Sequence, residues 1–228
     1  RSIKDTLKLV DFNKVDFDTK EIRFAQKGMG LSLNGIAQGY ITDKVVELLK
    51  QQGVTQALID MGEIYGFDNA NQREWNVSIR NPDQEDQILT TIAMKNQAFA
   101  TSGGYGTVMD EAGKFTHLFD PRTGGSQPRY KSMSVMAESA AVADAFSTAF
   151  SIMDEAAIRT AAQVKKAQVW LVMPNNELKK IGGWGEGRLA CGFDYEYRAG
   201  KAWLLKKWKI KKKGCPRGNP ETLAAGSN

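Results

Sequence analysis

Residues 75–101 read WNVSIRNPDQEDQILTTIAMKNQAFAT. Trp75, Val77 and Ile79 alternate with Asn76, Ser78 and Arg80, which is the period of a half-buried strand. Asn81-Pro82 ends the run, since proline has no amide to donate to a ladder. Two more strand-like runs follow at 88–94 and 97–101. Strands that succeed one another across short turns pair antiparallel, because parallel neighbours need a long crossover.

Working outward, 15–24 is strand-like and 57–61 reads as a buried strand. Between them, Asn34 to Gly39 leads into a helical pattern with Ile41, Val45, Leu48 and Leu49 on one face, and Gly53 is its stop. Towards the C-terminus, 108–120 is expected to form a hairpin around Glu111-Ala-Gly113 and 132–136 a strand. Helices are expected over 140–153 and 155–165. A closing hairpin spans 168–173 and 178–181 around Asn175-Asn176. Runs of strands with few helices predict an α+β fold: a largely antiparallel sheet with packed helices.

The 228 residues are 42% hydrophobic and 25% charged, with 22 glycines. That supports one sizeable core in an ordinary globular domain, and no stretch is long and apolar enough to span a membrane. The net charge of +5 is uneven, because eight basic residues and no acid lie between Lys201 and Arg217. The remainder is mildly acidic. The sequence therefore divides into a domain over 1–181 and a basic, poorly structured tail over 182–228. A nucleic-acid or membrane patch is one reading of the tail, and a solvated extension is the one favoured. No nucleic-acid partner is expected. Cys191 and Cys215 make no metal-ligand spacing.

Four segments carry candidate chemistry. On the 140–153 helix, Asp144 and Thr148 are one turn apart, and Ala140, Ala141 and Ser151 share their face. Val142, Phe146, Ala149 and Met153 fall on the opposite side, which is the expected core face. A carboxylate with a hydroxyl suits a hard cation such as Mg²⁺, and Ser147 offers a third oxygen. A solvated helix face is the plainer account of the same spacing. His117 to Gly124 (HLFDPRTG) joins the only histidine of the chain to a turn, with Arg122 and Thr123 as phosphate donors. Ala100 to Tyr105 (ATSGGY) and Leu31 to Tyr40 (LSLNGIAQGY) bring small residues to a strand end and to a helix start, two places where backbone amides meet anions.

The order of these segments resembles the FAD:protein FMN transferase family, also called ApbE. LNGIAQGY (33–40) comes first, then ATSG (100–103), then HLFDPRTG (117–124), then ADAFST (143–148). The resemblance runs from about Asp11 to Ile181, with the family's N-terminal part absent, so the chain is expected to be N-terminally truncated. It implies a T-fold-related α+β domain. It implies Mg²⁺ held by Asp144, Thr148, Ser147 and the backbone of Gly35, with FAD as substrate against Ser32, Gln38, Phe119 and Thr101. His117 and Asp144 are the implied catalytic residues. The implied reaction moves FMN from FAD onto a Thr or Ser hydroxyl of an acceptor protein and releases AMP. An Mg²⁺-dependent FAD pyrophosphatase and a non-catalytic FAD-binding protein are the rival readings. The implied acceptor is a flavin-carrying subunit of a membrane electron-transfer complex. The implied location is the periplasm, with a lipid anchor at the inner membrane. The sequence departs from the family pattern at Ser32, where Asp is usual, and at Gln38, where Lys or Glu is usual. It also departs at Asp60-Met-Gly-Glu-Ile64, which is one glycine short.

Overall fold

The computed structural model describes residues 2–104, 116–127 and 129–182. The hairpin expected around Glu111 and the basic run after residue 182 lie outside them. The chain divides into two compact units, one of 1–11 with 26–186 and one of 12–25 with 187–228. In the second, the described part is a short hairpin of β1 (Val15–Phe17) and β2 (Ile22–Phe24), with Phe12 edge-on to Phe17.

The first unit contains α1 (Ile3–Leu7), α2 (Ala37–Gln51), β3 (Gln56–Asp60), β4 (Ile64–Asp68), β5 (Trp75–Asn81), β6 (Gln84–Met94) and β7 (Gln97–Gly103). It continues through β8 (Ser132–Ala137), α3 (Ala140–Phe150), α4 (Glu155–Val164), β9 (Gln168–Val172) and β10 (Leu178–Ile181). Six strands form one sheet in the order β10-β9-β8-β7-β4-β3, with every pair antiparallel. β5 and β6 form a separate two-stranded sheet. The expected α+β class with a largely antiparallel sheet is what the chain forms. Among the described residues no helix is long and apolar enough to cross a membrane.

Side-chain alternation gives the large sheet two different faces. On one, Phe99, Met136, Trp170 and Val172 pack against Val77, Ile79, Ile92 and Met94 of the β5–β6 hairpin. On the other, Met133, Val135, Val169 and Leu171 meet Phe150 of α3 and Ile158 and Ala162 of α4. On that second face, Ala98, Ala100 and Ala137 meet Ala140 and Ala143 of α3, and Val46 of α2 covers Ile59 and Phe67. Gly66 is required at the first face, since a Cβ there would come within 2.5 Å of the Trp75 ring.

The helices begin where polar caps allow. Ser139 accepts the Val142 amide and Asp154 accepts the Ala157 amide. α2 ends before Gly53, whose φ of +83° is the left-handed conformation of a helix stop. Two helix faces differ from expectation. In α2 the fully buried residues are Gly39, Thr42 and Val46; of the expected face Val45 and Leu49 pack against the core, while Ile41 and Leu48 are about half exposed, at 49% and 54%. In α3 the buried face is Ala140, Ala143, Asp144, Ser147 and Phe150, so Asp144 faces inward and not away from the core. Val142, Phe146, Ala149 and Met153 are only half-buried, with Phe146 stacked on Phe150. The reason for both is the same: α2 and α3 approach so closely that small residues, not large ones, line their contact.

Candidate functional site

The closeness is set at Gly39. A Cβ there would lie 2.2 Å from the carbonyl oxygen of Ala140, so only glycine fits. The approach lets the Gly39 amide donate to Asp144 Oδ2 at 2.9 Å. One turn on, Asp43 of α2 accepts the amides of Ala140 and Ala141 at 2.8 and 2.9 Å and so caps α3 from another helix. The segment before α2 is held the same way, since a Cβ on Gly35 would be 3.0 Å from Thr148 Cγ2.

Asp144 is 4% exposed. Burial pushes its carboxyl above the usual range, and the Gly39 amide partly offsets that. Below it the hydroxyls form a chain. Ser147 donates to the Asp144 carbonyl at 2.9 Å, so its own proton is committed. The 2.7 Å contact with Ser102 is therefore donated by Ser102, and the 3.3 Å contact between Ser102 and Thr148 by Thr148. With all three protons assigned inward, the lone pairs of Thr148 are left to accept or to ligate.

A second carboxylate sits beside this cluster. The β3–β4 turn passes over the first turn of α2, where Gly62, at φ +97°, lies against the Gln38 amide. Thr42 donates to the Gln38 carbonyl at 2.9 Å and lies 3.5 Å from the Glu63 carbonyl. Glu63 is 6% exposed, and its Oε2 has no partner. Burial, with Asp144 and then Asp60 nearby, pushes its carboxyl up to about 8, against the pull of the Thr101 amide. Among the described residues, no three His, Cys, Asp or Glu side chains are grouped to hold a metal. The oxygen-rich cluster on α3 is one carboxylate with hydroxyls.

The structure thus brings Gly35, Asp144, Ser147 and Thr148 together, and Gln38 stands at the margin, exposed, against Gly62. The Thr101 side chain stands apart from this group. Register pairs it with Ser134, to which it bonds at 2.8 Å, on the hairpin face of the sheet. Its neighbour Ser102 is the residue that faces α3. Ser32 is exposed and accepts the Asn34 amide at 3.4 Å. His117 and Phe119 are exposed on a loop closed by bonds between Thr116 and Ser126. In that loop Arg122 forks onto Asp120 at 2.9 and 2.7 Å, which holds the Asp120 carboxyl down at about 2. The Thr123 hydroxyl accepts the Gly125 amide. Both expected phosphate donors are thus engaged within the turn. Ser102, Asp43 and Glu63 went unrecognised in the sequence. For Glu63 the signal was an acid between glycine and isoleucine in the tight turn that joins edge strand β3, where only Ile59 is buried, to β4.

This α+β fold, with a buried Asp and hydroxyl face closed by two glycines, has clear relatives. Residues 1–171 match the ApbE family, and the chain belongs to it. It is 30% identical over 168 residues to the FAD:protein FMN transferase of Treponema pallidum, a match covering 65% of this chain and 46% of that protein. The Haemophilus influenzae protein of the same name is 29% identical over 174 residues, covering 72% and 50%. The chain spans about half the length of the curated relatives it matches. Among solved structures, the ApbE protein of Thermotoga maritima superposes with a TM-score of 0.71 at 25% identity, covering 78% of this chain and 60% of that one. The flavin transferase ApbE from Vibrio cholerae does so at 0.64 and 24%, covering 78% and 58%, a likeness of fold.

Proposed function

We propose that this chain carries the metal-holding and proton-handling part of a flavin transferase, which moves FMN from FAD onto a Thr or Ser hydroxyl of an acceptor protein. The observation that carries the reading is the double approach of Gly35 to Thr148 and of Gly39 to Asp144. It sets one carboxylate and the free lone pairs of one hydroxyl on a surface of small residues, within a family whose relatives are named for this reaction. The donors are all oxygen, as Mg²⁺ requires. Asp144 and Thr148 would hold it, with Ser147 and the Gly35 backbone. When bound it supplies positive charge against the FAD phosphates and the departing AMP.

In the reaction the acceptor hydroxyl oxygen bonds to the FMN-side phosphorus, and the bond from that phosphorus to the bridging oxygen breaks. AMP leaves with the bridging oxygen. His117 takes the hydroxyl proton, and its exposure suits a group that must meet a second protein. Ser32, Gln38 and Phe119 face the dinucleotide. The working protein is read as periplasmic and lipid-anchored, with a flavin-carrying subunit of a membrane electron-transfer complex as acceptor. Incubation with FAD, Mg²⁺ and an acceptor peptide tests the activity: covalent flavin on the peptide supports transfer. Free FMN with AMP would make it a pyrophosphatase, and intact bound FAD a carrier. His117→Gln is expected to lower turnover about 10²-fold with a smaller effect on FAD affinity.

A further inference from the structure

Glu63 lies in the Asp60–Ile64 turn, a segment to which no site residue was assigned, yet its surroundings converge on it. It is 6% exposed, in the turn between β3 and β4. The Thr101 amide donates to its carboxylate, Asp144 lies within electrostatic reach, and the Thr42 hydroxyl lies 3.5 Å from its main-chain carbonyl. Those three neighbours come from β7, α3 and α2, the elements that frame the Asp144–Thr148 face. Its Oε2 is buried and has no hydrogen-bond partner, while no salt bridge among the described residues reaches Glu63 or Asp144.

Buried acceptors are almost always satisfied, and one that is not marks the place of a missing donor. The donor here meets a carboxylate that feels the charge of a second one, Asp144, and two such groups repel each other and attract any cation. Mg²⁺ gives up its waters reluctantly and is commonly held through one or two carboxylates with several waters kept. Carboxylates that accept hydrogen bonds from that shell orient it and raise affinity without touching the ion.

We propose that Glu63 is a positioning residue of the cation site, its Oε2 accepting a hydrogen bond from the hydration shell of the Mg²⁺ that Asp144 and Thr148 hold. This rests on the metal reading of the Asp144 face. It assigns a role to the Asp60–Ile64 turn and explains why an acid is buried there at all. It also accounts for Gly62, whose missing side chain leaves Gln38 room beside the same turn.

The test is Mg²⁺ binding by calorimetry, with Mn²⁺ spectroscopy as a second readout, on the whole chain and on Glu63→Gln and Asp144→Asn. Glu63→Gln keeps shape and removes charge, so the fold, checked by circular dichroism, is retained. The expected result is Mg²⁺ affinity lowered about tenfold by Glu63→Gln and lost in Asp144→Asn. Unchanged affinity in Glu63→Gln, beside loss in Asp144→Asn, overturns the role of Glu63 and leaves the metal reading standing. No Mg²⁺ binding by the unaltered chain removes the metal reading and this inference with it. Should Glu63→Gln not fold, Glu63→Asp, which keeps the charge and withdraws it by one methylene, is read in the same way.

Discussion

Strand β7 has two faces that do opposite work. On one, Phe99 lies against Trp170 at 6.1 Å between ring centroids and fills the layer beneath the β5–β6 hairpin. On the other, Ala98, Ala100 and Ser102 leave space, and α3 comes down onto the strand. Large residues on the first face exclude water and hold the layers together. Small residues on the second bring backbones close enough for polar atoms of α2, α3 and β7 to meet. Stability and chemistry are thus assigned to opposite sides of one strand.

The largest expected effect breaks the apolar side. Phe99→Ala removes a 5%-exposed ring and is expected to destabilise the fold by about 4 kcal/mol in denaturant unfolding. Ligand binding by the folded fraction should be unchanged, because the site lies on the other face. A loss of Mg²⁺ or FAD affinity beyond the loss of folded protein would refute the division.

On the polar side, Gly39→Ala forces α2 from α3 and is expected to cost about 3 kcal/mol, and here binding should fall with stability. Calorimetry on the folded variant distinguishes the two faces directly, since the larger stability loss should carry the smaller binding loss.

A pH series sharpens the comparison further. Glu63 has a folded-state value of about 8 against 4.5 for the free side chain, so the folded state keeps its proton longer than the unfolded chain. Stability is then greatest below about 4.5 for this group and is lost as pH rises through about 8. Asp144, also raised, acts in the same direction, and Asp60 adds its charge from the same turn. Without metal, stability is expected to fall by roughly 2 kcal/mol between pH 5 and 8. Glu63→Gln should flatten most of that slope in thermal melts. A slope untouched by the substitution would place the titrating group elsewhere.

The smallest effect is at the cap. Asp43→Ala leaves two α3 amides without their carboxylate and is expected to cost about 1 kcal/mol, seen as faster amide exchange at Ala140 and Ala141.

Much of this fold was legible because alternation reports a strand with two unlike environments. β5 follows directly from it, and the closing hairpin of β9 and β10 from an apolar run and the Asn175-Asn176 turn. Helix existence was equally legible at α3 and α4, though their Ser139 and Asp154 caps emerged only in the fold. Helix rotation was not. Ile41 and Leu48 of α2 are half exposed, yet Gly39, Thr42 and Val46 are buried, because close approach selects by size before it selects by hydrophobicity. The same bias turned Asp144 outward in the sequence reading. Thr101 and Ser102 differ by one place, and only pairing with Ser134 decides which faces α3. The Asp144–Thr148 spacing was visible locally. Asp43 and Glu63 were not, since each acts on residues that only the tertiary fold brings near.

The bond from Gly39 to Asp144 closes a loop of 105 residues, and that from Ala140 to Asp43 one of 97. Pairings of that span come late in folding, because the entropy of closing the loop must be overcome before the contact forms. The helix bearing Asp144 and Thr148 can pack on β7 and β8 before α2 arrives, but the Gly39 amide and Gly35 reach it only with α2. The closed Asp144–Thr148 face is therefore a property of the finished chain. A ligand that needs it has nothing to bind on the way up, so it should leave the folding rate alone and slow unfolding.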